Sequence, residues 1–188
     1  QITRNFDGSF VGSHADMIAM ACAIAGNLAE RGTNRMVDRN LNDGLPAFLV
    51  QNPGLNSGFM ITQYTAAGLV NEIKHLALPV TIDSISTCAN QEEPVSMAYY
   101  AAKKAGTAVR KLQYVAAIEI YAALQAIDFL KPLEPSPAVV KVRDFLRRTV
   151  PFLENDRFLY PDIEYIFERV RDRTLVDIVE EEIGTLEF

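Results

Sequence analysis

The stretch Val115-Ala116-Ala117-Ile118-Glu119-Ile120-Tyr121-Ala122-Ala123-Leu124 decides the fold class. It is apolar on every side of a 3.6-residue period, with Glu119 alone in the middle. A helix apolar all round has to be buried among other helices. Upstream, Pro94 suits the first turn of a helix, where its missing N–H is an orphan in any case. Downstream, Pro132, Pro135 and Pro137 form a hard break. One helix from about Pro94 to Leu130 is therefore expected, and it demands long neighbours.

Two such neighbours are legible. Ser13 reads as an N-cap of a helix to about Asp38, with Met17, Met20, Ala21, Ile24, Ala25 and Leu28 at the spacing of a buried stripe. A second helix from about Ser57 to Leu76 carries Ile61, Tyr64, Leu69, Ile73 and Leu76 as its main apolar positions. Residues 1–12 read as loop. So do residues 39–57, which hold Gly44, Pro46, Pro53 and Gly54, with a short apolar turn at Ala47–Val50. Shorter helices are expected at about 138–149, 162–172 and 174–182, the second capped by Asp162. No segment has a convincing strand period. The expectation is an all-α chain: a long-helix bundle over residues 1–131 and a short-helix C-terminal cap over residues 132–188.

Composition narrows the function classes. The chain has 188 residues, 49% apolar and 22% charged, enough for a real core. Its net charge of −6 lacks the electrostatic footprint of a nucleic-acid binder. No uncharged apolar run approaches the roughly 18–20 residues of a membrane span, and no signal peptide or lipidation motif is visible. Cys22 and Cys88 are too few for a disulfide framework or a cysteine-based zinc site. A cytoplasmic protein with unpaired thiols is expected.

No P-loop, dinucleotide fingerprint, zinc-protease or nucleophile-elbow pattern occurs. His14 and His75 have no metal-site spacing, and a surface or structural role is expected for both. Cys22 reads as core and Cys88 as a small space-filler near a pocket. Glu119 is either paired with an arginine or has a raised pKa, and the interhelical ion pair is the expectation. Glu180–Glu182 reads as a solvated face.

The polar run Thr87-Cys88-Ala89-Asn90-Gln91-Glu92 lies between two apolar helices, where sites tend to sit. A carboxylate there can bind an ammonium group or accept a proton, and neighbouring amides can hold a substrate carboxylate. The alternative is that Asn90–Glu92 cap the helix opened by Pro94, and chemistry alone favours capping.

Several segments resemble the histidine and aromatic amino-acid ammonia-lyases and related aminomutases. The strongest are Asn52-Pro53-Gly54-Leu55-Asn56-Ser57-Gly58-Phe59-Met60 and Thr87-Cys88-Ala89-Asn90-Gln91-Glu92 with Val95-Ser96-Met97. Weaker ones are Asn5-Phe6, Leu45–Val50, Ala117-Ile118-Glu119 and Asp156-Arg157-Phe158 with Pro161-Asp162. They follow in family order along the chain.

The resemblance implies a helical lyase that uses a methylidene-imidazolone made from an Ala-Ser-Gly triplet. No such triplet occurs here. Family chains are more than twice as long, so the resemblance implies the C-terminal part of a lyase, nicked, split or truncated, and inactive alone. Its partners would be the N-terminal portion or a companion chain, an amino-acid substrate, and three further subunits of a homotetramer sharing its active sites. The helix around Val115–Leu124 would sit in the common core.

Residue by residue, Glu92 resembles the active-site glutamate beside the substrate amino group. Gln91 resembles the glutamine near the prosthetic group, and Phe6 a pocket phenylalanine next to it. Met60 and Tyr64 fall where the family lines its side-chain pocket. Gln91-Glu92, rather than Gln-Asp, favours the bacterial histidine type acting on L-histidine. Tyrosine or phenylalanine lyases and 2,3-aminomutases are the alternatives. A non-catalytic oligomerisation module is the alternative of another class. Three positions depart from the histidine-lyase pattern: Glu93 and Pro94 stand where that pattern has Asp and His after the glutamate, and Cys88 stands for serine.

Overall fold

The computed structural model describes residues 7–187. The described residues form six α-helices: α1 (Ser9–Val37), α2 (Met60–Leu76), α3 (Ala98–Phe129), α4 (Pro137–Arg147), α5 (Tyr160–Arg171) and α6 (Thr174–Ile183), with a 3-10 turn at Ala47–Leu49. Among them there is no strand, only the isolated bridges Pro53–Asn56 and Thr87–Glu92. The all-α expectation is met.

The helix starts moved, for local reasons. Helix α1 opens at Ser9, not after Ser13, because the Asp7 carboxylate accepts the Ser9 N–H at 2.9 Å. Ser13 lies inside the helix and donates to the Ser9 carbonyl. Helix α2 opens at Met60, three residues late, because Gly58 at φ +53 cannot belong to a right-handed turn. Helix α3 opens at Ala98 rather than Pro94. The Val95 N–H is held by Ser84 Oγ at 2.9 Å, and Met97 has φ +50. Asp162 is not a cap: it lies within α5 and is buried.

Two compact units share the chain. One combines residues up to Asn27 with Gly68–Leu112, and the other combines Leu28–Ala67 with Gln113 onward. In the first, Gly26 of α1 lets α2 and α3 close in: a Cβ there would meet Ile73, Leu112 and Val70 at 3.4–3.6 Å. In the second, α3 is the core. Val115, Ala117, Ile118, Tyr121, Ala122 and Leu124 are all buried within this chain. Phe59 packs edge-on against Tyr121 at 4.8 Å, and Tyr114 stacks on Phe167 of α5 at 3.9 Å. Gln125, fully buried, donates to the carbonyls of Leu49 and Leu153 and accepts from the Leu153 N–H. It thereby holds two irregular segments whose backbone groups need partners.

The stripe expected to be buried on α1 is the exposed one. Met17, Met20, Ile24 and Leu28 face outward, Ile24 and Leu28 at 75% exposure. The buried face is Ala15, Asp16, Ala19, Cys22, Gly26, Glu30, Thr33 and Val37, also at three-and-four spacing. Two apolar faces are written into this helix, and the small-residue one packs because it admits close neighbours. By length and composition α1 is also apolar enough to cross a membrane, although charged residues interrupt it. Its buried face nevertheless carries two carboxylates with partners inside the chain: Asp16 meets Lys104, and Glu30 meets Arg31 and Gln63.

Candidate active site

The polar segment folds into a closed turn. Thr87 and Glu92 exchange backbone hydrogen bonds at 3.2 and 3.3 Å, and the Gln91 N–H donates to the Cys88 carbonyl at 3.2 Å. Inside it Cys88, Ala89 and Asn90 have φ of +51, +54 and +70. Three consecutive non-glycine residues in the left-handed region are strained, by roughly 1–2 kcal/mol each. Such strain clusters where function needs a fixed presentation. The turn ends before Pro94, and α3 begins only at Ala98, so Asn90–Glu92 do not cap that helix. Gln91 and Glu92 are exposed, and no described side chain binds theirs. An amide and a carboxylate are thus held side by side, free to take an ammonium, a carboxylate or a proton.

Met60 and Tyr64 occupy the first turns of α2, four apart and hence on one face. Tyr64 is 68% exposed. What precedes them is tightly fixed. The Asp156 carboxylate accepts the N–H groups of Ser57 and Gly58 at 2.7 and 2.8 Å, as a cap supplied from far along the chain. Asn56 is buried and bonds Asn155 and the Asp156 N–H. A Cβ on Gly58 would stand 2.5 Å from the Phe48 carbonyl oxygen, so glycine is required there.

Gln91 and Glu92 therefore sit together on one turn of the first unit, and Met60 and Tyr64 together on one helix face of the second. Phe6 lies outside the described residues. A cavity of about 540 Å³ in the second unit is lined by Asn34, Asp38, Arg39, Phe48, Pro53 and Gln63 among others, and none of Met60, Tyr64, Gln91 or Glu92 lines it.

Both thiols are free: Cys22 is buried, and burial pushes its pKa up. Cys88 is exposed rather than a space-filler. His14 is exposed, with Nδ1 2.7 Å from the Phe10 carbonyl oxygen. Glu119 makes no ion pair among the described residues. Its carboxylate lies against Gly32 of α1, and burial pushes its pKa up. The second of its two readings holds, because the carboxylate is partly buried against Gly32 with no cation beside it among the described residues.

The sequence reading passed over Asp16 and Lys104. Asp16 Oδ2 accepts the Val80 N–H (2.9 Å), the Thr81 N–H (3.0 Å) and the Thr81 hydroxyl (2.8 Å). The Lys104 ammonium stands 2.9 Å from Oδ1, a charge contact without the alignment of a hydrogen bond, and donates to the Leu78 carbonyl. Burial alone would raise the Asp16 pKa. The Lys104 ammonium and the Thr81 and Val80 donors outweigh it and bring it down to about 2. The available signal was an aspartate inside an apolar helix.

The family model for aromatic amino acid lyases matches residues 3–148. Histidine ammonia-lyase of Symbiobacterium thermophilum is 46% identical over 183 residues, which is 97% of this chain and 36% of that protein. The chain thus spans about a third of the length of that relative. Among solved structures, histidine ammonia-lyase from Trypanosoma cruzi superimposes with a TM-score of 0.90 at 37% identity, covering 98% of this chain and 38% of that one. Tyrosine aminomutase from Streptomyces globisporus does so with a TM-score of 0.91 at 33% identity, covering 96% and 34%. With the matched family model spanning most of its length, and relatives at 43% and 46% identity covering nearly all of it, the chain belongs to the aromatic amino acid lyase family.

Proposed function

We propose that this chain is the C-terminal part of an ammonia-lyase that converts L-histidine to urocanate and ammonium. The observation that carries the reading is the strained turn presenting Gln91 and Glu92 within a chain 46% identical to a histidine ammonia-lyase. Elimination removes a weakly acidic β-proton and breaks the bond from the α-carbon to nitrogen. The proton goes to a base, the electron pair forms the new double bond, and the amine leaves. Glu92 holds the substrate ammonium or takes a proton from it, and its exposed carboxylate has no competing partner among the described residues. Gln91 donates hydrogen bonds from its amide beside it. Met60 and Tyr64 line the side-chain pocket, and the family resemblance assigns Phe6 to it as well.

The donor set fits the methylidene-imidazolone of this family: an amide and a carboxylate on one exposed turn, facing away from the chain's own core. That group, made from an Ala-Ser-Gly triplet outside this sequence, supplies an electrophile that activates the substrate when bound. The exposed stripe Met17, Met20, Ile24 and Leu28 supports a homotetramer, or a longer chain, that covers it.

A second reading, a tyrosine or phenylalanine lyase or a 2,3-aminomutase, is favoured by Pro94 standing where histidine lyases have histidine and by the likeness to tyrosine aminomutase. The test is ammonia release by the complete protein from histidine, tyrosine and phenylalanine, with its intact mass read for the water lost in forming the prosthetic group. Preference for histidine is expected. Release from tyrosine, or a β-amino product, selects the second reading. No turnover of any of the three by protein carrying the group leaves only the assembly role.

A further inference from the structure

The segment between α2 and α3 has little apolar hold on the rest of the first unit. Its own isoleucines face solvent, Ile82 at 82% and Ile85 at 62% exposure. Yet it supports three consecutive left-handed residues, which need surrounding structure to persist. The hold is at its inbound end. Val80 packs against the small cluster Ala15, Ala101 and Ala105. Beside it Asp16, 2% exposed, accepts all three donors of Val80 and Thr81, while Lys104, 5% exposed, contacts both Asp16 and the Leu78 carbonyl. A Cβ on Gly12 would come within 2.9 Å of Thr81 Cγ2 and 3.0 Å of Ala98 Cα, so α1, the inbound segment and the start of α3 meet there in close contact.

For stability alone, a buried ion pair is a poor choice. Well-packed apolar side chains of similar volume serve as well or better. What apolar side chains cannot do is accept two N–H donors from irregular backbone and the Thr81 hydroxyl, which need partners when taken out of water. The pair thus does a task specific to this segment. Further along, Ser84 Oγ accepts the Val95 N–H and ties the two limbs together below the turn.

We propose that Asp16 and Lys104 are positioning residues for the lyase reaction: through Val80 and Thr81 they fix the segment whose turn presents Gln91 and Glu92. This rests on Glu92 being the site carboxylate. A merely structural pair would change melting temperature and leave turnover by folded enzyme intact. A positioning pair sets kcat, because slight misplacement of a reacting group costs rate steeply. It leaves KM nearly unchanged, since Met60 and Tyr64 are held by other contacts.

The test uses the complete protein. The double variant Asp16→Asn with Lys104→Met leaves no uncompensated buried charge. Thr81→Val removes one donor and keeps the pair, so it answers the question if the double variant does not fold. For the double variant the expectation is a fall in kcat of at least about tenfold, with KM for histidine within about twofold. Amide exchange should quicken over residues 80–92 but not in α5 or α6. Thr81→Val should show the same pattern more weakly. Wild-type kcat with unaltered exchange over residues 80–92 in either folded variant overturns the proposal. So does a loss confined to KM. If the wild-type protein turns over no amino acid, the functional reading fails by itself, and the exchange pattern still decides whether the pair holds the turn.

Discussion

Glu92 and Glu93 are neighbours with different expected roles, and neutralising each separates them. Five residues separate Glu92 from α3, so Glu92→Gln removes no helix cap and should leave the melting temperature nearly unchanged. As the site carboxylate it should lose kcat by at least roughly a hundredfold, the lower range for a positioned acid or base. Glu93→Gln should be much milder, and equal losses would remove Glu92 from the site. Asp16 gives a pH signature. Its pKa of about 2 lies below the ordinary 3.8, so its stabilisation is present above about pH 4 and is lost as pH falls through 2. The shift corresponds to about 2 kcal/mol. Urea midpoints between pH 5 and 2 should therefore fall more steeply for the wild type than for Asp16→Asn. Glu119 has the opposite sign. Burial raises its pKa above 4.5, so its ionised form destabilises the fold above that pH. Glu119→Gln should melt higher than wild type at pH 7, with the difference vanishing below pH 4. A lower melting point at pH 7 would mean that a cation pairs with Glu119 in the assembled protein.

At the scale of elements, α2 is the helix whose start is decided from elsewhere. The Asp156 carboxylate satisfies two N–H groups that precede its first turn, and the buried Asn56 locks the same loop to Asn155. Asp156→Ala should cost about 1–2 kcal/mol, the range of a lost cap. Because Met60 and Tyr64 follow within two turns, the same change should raise KM for the amino acid by several-fold and affect kcat less. An unchanged KM in folded Asp156→Ala would mean that α2 sets its own first turn. The C-terminal helices have their own anchors. Asp162 of α5 accepts the Tyr121 hydroxyl and pairs with Arg157, and Arg147 of α4 pairs with Asp128 of α3. These charges tie the short helices to α3 rather than capping their own ends.

For the whole molecule, the feature that matters is the apolar face of α1, left without a partner among the described residues. Phe10, Met17, Ile24 and Leu28 are each more than half exposed, well beyond the scattered single residues of an ordinary surface. Residues 1–188 alone should self-associate in light scattering at micromolar concentration, whereas the complete protein should be monodisperse. They should also release no ammonia from histidine, tyrosine or phenylalanine, since the triplet that makes the electrophile is absent from the sequence. Turnover by residues 1–188 would overturn the reading of the site as one completed from outside. The self-association is expected from α1 and not from Val115–Leu124, which this chain buries by itself.

Read alone, the sequence determined the helical class, the number of long helices, their ends within a few residues, and the motif that places the chain in its family. These follow from local chemistry: proline breaks, the 3.6-residue period, and polar runs between apolar ones. Tertiary structure decided which face of each helix is covered. Met17, Ile24 and Leu28 have the same period as Ala19, Cys22 and Gly26, and periodicity cannot say which set meets a neighbour. It also decided where the helices begin. The Ser57, Gly58 and Val95 N–H groups are taken by Asp156 and Ser84, partners 11 to 99 residues away. The buried Asp16–Lys104 pair and Glu119, unpaired among the described residues, were likewise out of reach, because a charge inside an apolar helix has no readable fate until the opposite helix supplies, or fails to supply, its partner.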